Sequence, residues 1–153
     1  MAATGRRRVR RIPGGAAANP ARAAVARAFV GAINRGDLAS ILGLMASGYT
    51  FVDSVGRVHK GRRRGVAGWR QFLAMFPDYR IRITHALESG STVALFGSAS
   101  GTYAGKRGLV RANRIRMAAA WKAVIQGDRV RLWQVYADWT EGLRIINEDS
   151  RSC

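Results

Sequence analysis

Asp53, His85 and Asp138 are the side chains best placed in this sequence to move a proton. Asp53 ends the run Tyr49-Thr50-Phe51-Val52, so its carboxylate sits beside apolar groups. In a poorly hydrated setting such a group serves as a general acid or base. The other reading makes it a turn residue bonding backbone groups near Gly56. His85 alternates with Ile81 and Ile83. That spacing turns its ring inward, as a proton shuttle or as a satisfied structural residue. Asp138 serves either as an acid/base at the end of a strand or as a helix cap, with Glu141 three residues on as a capping-box partner. His59 falls in a short basic segment and reads as solvated.

Trp69, Tyr103, Trp133 and Tyr136 are candidates to line a binding pocket, with core packing the competing role for the aromatics. Arg116 alternates opposite to Ile115 and Met117, so it reaches either a ligand carboxylate or solvent. A one-residue slip in register would exchange the two faces of that strand. No metal site is expected: His59 and His85 match no ligand spacing, and Cys153 is the single cysteine. Gly101 to Gly108 lacks the Lys-Ser or Lys-Thr ending of a phosphate loop. No cofactor is expected.

These side chains need elements to position them. A first helix opens at Asn19-Pro20, carries Val25, Phe29 and Ile33 on one stripe, and ends at Gly36. Asp37 caps a second helix with Leu38, Ile41, Leu42 and Met45 on its buried side. Tyr49 to Asp53 and Val58 to Lys60 form a short strand pair around the turn Val55-Gly56-Arg57. Gly65 to Phe76 is a third helix, stopped by Pro77. The period then changes from helical to two, giving strands over 79–88, 92–103, 110–125 and 129–138, with a hairpin at Gly127-Asp128. A short closing helix spans Trp139 to Asn147. Helices gathered against an antiparallel sheet define an α+β fold, and a bent sheet around a long helix leaves an internal pocket. The expectation is one domain over 19–147, between a disordered basic tail over 1–18 and a C-terminal tail over 148–153.

The net charge of +17 comes almost wholly from arginine, since Lys60, Lys106 and Lys122 are the only lysines. Arg6, Arg7, Arg8, Arg10, Arg11 and Arg22 precede Ala23 with no acid among them. This reads as a compositional preference for arginine plus a solvated tail, with non-specific, salt-sensitive binding of nucleic acid; the weaker alternative is a nucleic-acid-associated protein working through the Arg-rich tail. No apolar run reaches the roughly 20 residues of a membrane helix. One terminal cysteine forms no internal disulfide, and a cytoplasmic location is expected.

Five segments in order resemble the SnoaL-like branch of the nuclear transport factor 2-like superfamily. They are Phe29 to Asp37, Tyr49 to Gly56 followed by Gly61, Phe76-Pro77-Asp78, Gly101-Thr102-Tyr103-Ala104-Gly105, and Trp133 to Asp138. The resemblance implies a cone-shaped α+β barrel with three N-terminal helices on a curved, mainly antiparallel sheet, and a homodimer paired sheet to sheet. The apolar row Ile115, Met117 and Trp121 is then an expected outer face needing cover.

The family's activities differ in what they require. The ketosteroid isomerase pattern places a base at Asp53, but its donor positions fall on Phe29 and near Ala119 or Ala120. The limonene epoxide hydrolase pattern falls on Gly97, Ala99 and Val135, which lack the needed side chains. The SnoaL-like cyclases need only an acid/base beside an apolar pocket that folds the substrate. The resemblance therefore implies cyclase, isomerase or dehydratase chemistry on an apolar polyketide-like or terpenoid-like molecule. The alternative it leaves open is a dimeric module of the same fold that binds a small ligand or a protein without turnover.

Overall fold

The computed structural model describes residues 20–152; the expected basic tail over 1–18 and the cap Asn19 lie outside them. Helix α1 spans Pro20–Arg35. Its buried residues Ala26, Phe29, Val30 and Ile33 recur at three- and four-residue steps, the spacing of one helical face. Gly36 ends it at φ 63°, a conformation that only glycine adopts without cost. Helix α2 spans Leu38–Leu44. The Asp37 carboxylate accepts the N–H of Ser40 at 3.1 Å, the cap expected there.

Strand β1 covers Met45–Val52 and β2 covers Val58–Lys60. Helix α3 spans Arg62–Met75 and stops before Pro77. Strands β3 (Arg80–Ser89), β4 (Thr92–Gly105), β5 (Gly108–Gln126) and β6 (Arg129–Ala137) then form the expected consecutive antiparallel meander. The six strands make one sheet in the order β2-β1-β6-β5-β4-β3, with β1 parallel to β6. Its edge strands β2 and β3 do not pair, so the sheet is open, and it is the expected mainly antiparallel sheet with the helices packed on it. Register shifts at 83–85, 102–104 and 124–125 mark bulges in the meander, and bulges bend strands.

Helix α4 runs over Thr140–Arg151, four residues past the expected end at Asn147. The segment read as a tail holds an anchor: Asp149 accepts the backbone N–H of Lys106 at 3.1 and 3.2 Å.

The expected outer apolar row points the other way. Ile115 and Trp121 are 3% and 1% exposed and belong to the core, with Met117 packed against them. Strand alternation then places Arg114, Arg116, Ala118 and Lys122 on the outer face. The core between α1 and the sheet is filled: Phe29 meets Trp133 at 5.0 Å between ring centroids, and Trp121 lies 6.5 Å beyond. Space for a ligand lies to one side of it.

Candidate functional site

A cavity of about 480 Å³ lies between α3, the β1–β2 hairpin and the start of α4. That is within the usual range for small-molecule pockets.

The hairpin supplies its polar edge. Phe51 pairs directly with His59 and Val52 with Val58, so Asp53 stands opposite Arg57. Directly opposed residues share a face, and so do residues two apart on a strand. Phe51, Asp53, Arg57 and His59 therefore turn together toward the cavity. Asp53 Oδ1 accepts the N–H groups of Val55 at 3.1 Å and Arg57 at 2.9 Å. Gly56 makes that turn at φ 84°. The second oxygen, Oδ2, lies 3.4 Å from His59 Nε2. The His59 ring stacks on Phe51 at 5.7 Å. The Asp53 and His59 side chains keep 25% and 45% of their surface open.

Helix α3 supplies one wall. Arg64, Gly68, Phe72 and Met75 follow the three- and four-residue steps of a single face. Gly65 packs beside Tyr49, and Trp69 Nε1 contacts the Tyr49 hydroxyl at 3.4 Å. Burial raises the pKa of the Tyr49 phenol above its ordinary value. At the far end, Trp139 meets Phe72 and Phe76, each at 5.7 Å, and Tyr79 meets Phe72 edge-on at 4.8 Å. Leu143 completes that end from α4. The Tyr79 phenol is held protonated by burial and has no hydrogen-bond partner among the described residues.

Of the residues singled out from sequence, Asp53 and Trp69 line this cavity. His85 is exposed: the bulge after Ile83 shifts the alternation, and its Nδ1 contacts Thr84 Oγ1 at 3.1 Å. Asp138 is exposed and accepts the N–H of Thr140 at 2.9 Å, and the Thr140 hydroxyl as well. Those bonds lower its pKa. Glu141, the expected capping-box partner, pairs with Arg144 instead. Trp133 lies wholly in the core. Tyr103 packs on Phe76 at 5.7 Å, outside the cavity. Arg116 and Tyr136 line a shallow outer-face depression with Arg82 and Phe96.

His59, read from sequence as solvated, borders the cavity with its side chain 45% open, and Arg57, Arg64, Tyr79 and Trp139, not singled out as site residues, line it too. The signal for the first two was the hairpin itself, because pairing around Gly56 puts Asp53, Arg57 and His59 on one face. The epoxide hydrolase pattern is unmet in space as in sequence. Val135 lines the cavity without a carboxylate, Ala99 is buried, and any side chain at Gly97 would collide with the carbonyl of Arg82. Phe29 puts no hydrogen-bond donor into the core. Among the described residues, no group of three His, Cys, Asp or Glu side chains could hold a metal ion, and no helix is long and apolar enough to cross a membrane.

Solved structures share this architecture. A candidate SnoaL-like polyketide cyclase from Shewanella denitrificans superposes with a TM-score of 0.72 at 13% identity, covering 84% of this chain and 98% of that one. An M. tuberculosis epoxide hydrolase of the LEH-like type gives 0.69 at 13% identity, covering 86% and 92%. A Catenulispora acidiphila protein with a ketosteroid isomerase-like fold, solved with trimethylamine, gives 0.68 at 19% identity, covering 78% and 89%. At these identities the likeness is one of fold. No curated protein matches the chain by sequence. The model of the SnoaL-like domain matches residues 26–138, most of the chain and the whole of the sheet, and the protein belongs to that family.

Proposed function

We propose that the protein is a cofactor-independent acid/base enzyme of the cyclase, isomerase or dehydratase type, acting on an apolar polyketide-like or terpenoid-like molecule. One observation carries this reading: the Asp53–His59 pair opens onto an aromatic-walled cavity of about 480 Å³. In it His59 exchanges a proton with a substrate carbon next to a carbonyl, and Asp53 orients the ring. The wall holds the reacting atoms close, which supplies much of the rate. Tyr79 donates a hydrogen bond to a substrate oxygen at the inner end. His59 thus takes the proton-transfer role expected of Asp53, His85 or Asp138, with Asp53 as its positioning partner; His85 and Asp138 do not border the cavity.

The test is deuterium exchange at the enolisable positions of 2-tetralone in heavy water, followed by proton NMR. The wild-type protein should exceed the buffer rate. Asp53→Asn and His59→Gln should each remove about 100-fold of that excess, the lower range for a positioned acid/base. Exchange no faster than buffer sinks the enzymatic reading.

A second reading is favoured by one detail. Asp53 Oδ1 is committed to two backbone N–H groups, as in an ordinary turn. In a binding module that would be its whole role, and 2-tetralone would bind without exchanging.

We also infer a homodimer, through the outer face of the sheet. Phe96 and Tyr136 flank Ala120 across β4, β5 and β6, and are 43% and 51% exposed. Arg82 and Arg116 share that face, so salt should strengthen the pairing by screening their repulsion. Sedimentation equilibrium of wild type and Tyr136→Glu at two salt concentrations tests this; a wild-type monomer under both conditions rejects it.

A further inference from the structure

The cavity has two unlike ends, and we infer that it takes an amphiphilic anion: an apolar aromatic body seated among Trp69, Phe72 and Trp139, with an anionic head, carboxylate or phosphate monoester, held at the mouth by Arg57 and Arg64. This deepens the reading of the cavity as a small-molecule site and rests on it.

The polarity follows from where each residue sits on its element. Arg64 lies in the first turn of α3 and Met75 at its end. Eleven residues of helix separate them by about 16 Å. Trp139 and Tyr79 pack at the Met75 end, around Phe72. Arg57 and His59 come from the β1–β2 hairpin, which α3 adjoins through its first residues: Gly61, its cap, donates its N–H to the Tyr49 carbonyl. The charged groups thus gather at the hairpin end, beside Phe51, while Phe72, Tyr79 and Trp139 form the other end.

The mouth carries a net positive charge. Asp53 is the single acid among the described residues lining the cavity. Its oxygens are engaged by the N–H groups of Val55 and Arg57 and by His59. The first turn of α3 holds no acid either. The guanidiniums of Arg57 and Arg64 have no ion-pair or hydrogen-bond partner among the described residues. Guanidinium groups offer planar donor forks that match the oxygens of carboxylates and phosphates. A neutral ligand would leave both unused beside a low-dielectric wall, where an ion is attracted more strongly than in open water.

The experiment is titration calorimetry of the full chain with three probes of one shape: 2-naphthoate, 2-naphthyl phosphate and neutral 2-acetylnaphthalene. Variants are Arg57→Gln, Arg64→Gln and, as control, Arg63→Gln, which shares the turn but does not line the cavity. Circular dichroism confirms that each is folded. The inference requires at least one anion to bind more tightly than the neutral probe. Each mouth variant should then lose about tenfold in anion affinity, the weight of one charged hydrogen bond, with no loss for the neutral probe. The tighter of the two anions names the head group. Equal affinity for all three probes overturns the anion handle while leaving the cavity as a neutral-ligand site. An equal loss in Arg63→Gln also overturns it, because the general field of the protein would then be responsible. No binding of any probe overturns both the handle and the cavity reading.

Discussion

His59 Nε2 stands 3.4 Å from Asp53 Oδ2 while Oδ1 of the same carboxylate holds the turn that brings them together. The two oxygens therefore have separable duties. Asp53→Asn keeps an oxygen acceptor for the turn and removes the charge facing His59. It should cost little stability while lowering the exchange of 2-tetralone about 100-fold. Asp53→Ala removes both duties and should lose about 1–2 kcal/mol as well, from two unmatched backbone N–H groups. Chemical denaturation beside the exchange assay checks the contrast. Equal stability loss in both variants would mean that the carboxylate's charge, not its shape as an acceptor, holds the hairpin.

Two glycines on α3 should respond oppositely to alanine. A Cβ on Gly65 would lie 2.6 Å from Tyr49 Cε1 and 3.1 Å from Met45 Cε, both on fully buried side chains. Overpacking of that kind costs about 1–3 kcal/mol, more than the roughly 1 kcal/mol that alanine gains over glycine in a helix. Gly65→Ala should therefore destabilise. A Cβ on Gly68 meets nothing within 4 Å, because it would project into open space. Gly68→Ala should raise stability by up to about 1 kcal/mol and narrow the cavity by one methyl group. Thermal unfolding of both variants decides it.

These contrasts also show what sequence could and could not convey. The helices and the meander were legible because their periods, 3.6 and 2, are written in positions such as Val25, Phe29 and Ile33 or Ile115, Met117 and Trp121. Which way a strand face points was not, because alternation is symmetric; the burial of Ile115 against the helices broke that symmetry in three dimensions. His85 was lost to a bulge, where one extra residue reverses the alternation and leaves no mark in composition. Asp53 was found from its place at the end of β1 and from the family resemblance. His59 was read as solvated because three residues of β2 are too short to show a period; only the pairing of His59 with Phe51 reveals its face. Trp139 was read as part of a closing helix. Its place in the cavity wall depends on how α4 docks, a long-range contact that spacing does not encode.

That docking is itself testable. Asp149 joins the end of α4 to the β4–β5 hairpin through the N–H of Lys106, and the Lys106 ammonium reaches the Ser152 carbonyl at 2.9 Å. The same helix lends Leu143 to the cavity, with Trp139 just before its first turn. Ending the chain after Asn147 should lower the melting temperature by about 2–4 °C, the effect of roughly 1 kcal/mol in a domain of this size. It should also weaken binding of neutral 2-acetylnaphthalene, because one wall is no longer fastened. Asp149→Ala should reproduce part of both effects. Unchanged affinity in the truncated chain would show that the wall is held by Ile145 and its core contacts alone.

The acid limb of stability should depend on Asp78. Its carboxylate accepts the Thr102 N–H at 2.6 Å and the Thr102 hydroxyl at 2.7 Å, tying the α3–β3 connection to β4. Desolvation pushes its pKa up, but the Thr102 bonds and the nearby charge of Arg114 outweigh that and leave it below the ordinary carboxylate value. A group with a depressed folded-state pKa contributes stability that is complete above its unfolded pKa. That contribution is lost as pH falls toward and through the lower folded value. The stability difference between wild type and Asp78→Ala should thus be level at neutral pH, then shrink as acid protonates the wild-type carboxylate. Two lost hydrogen bonds, one to a backbone N–H, set its neutral size at about 1–3 kcal/mol. Urea midpoints from pH 7 down to pH 2.5 measure it. A difference that stays constant across that range would show that the Asp78–Thr102 contact acts through packing rather than through the charged form.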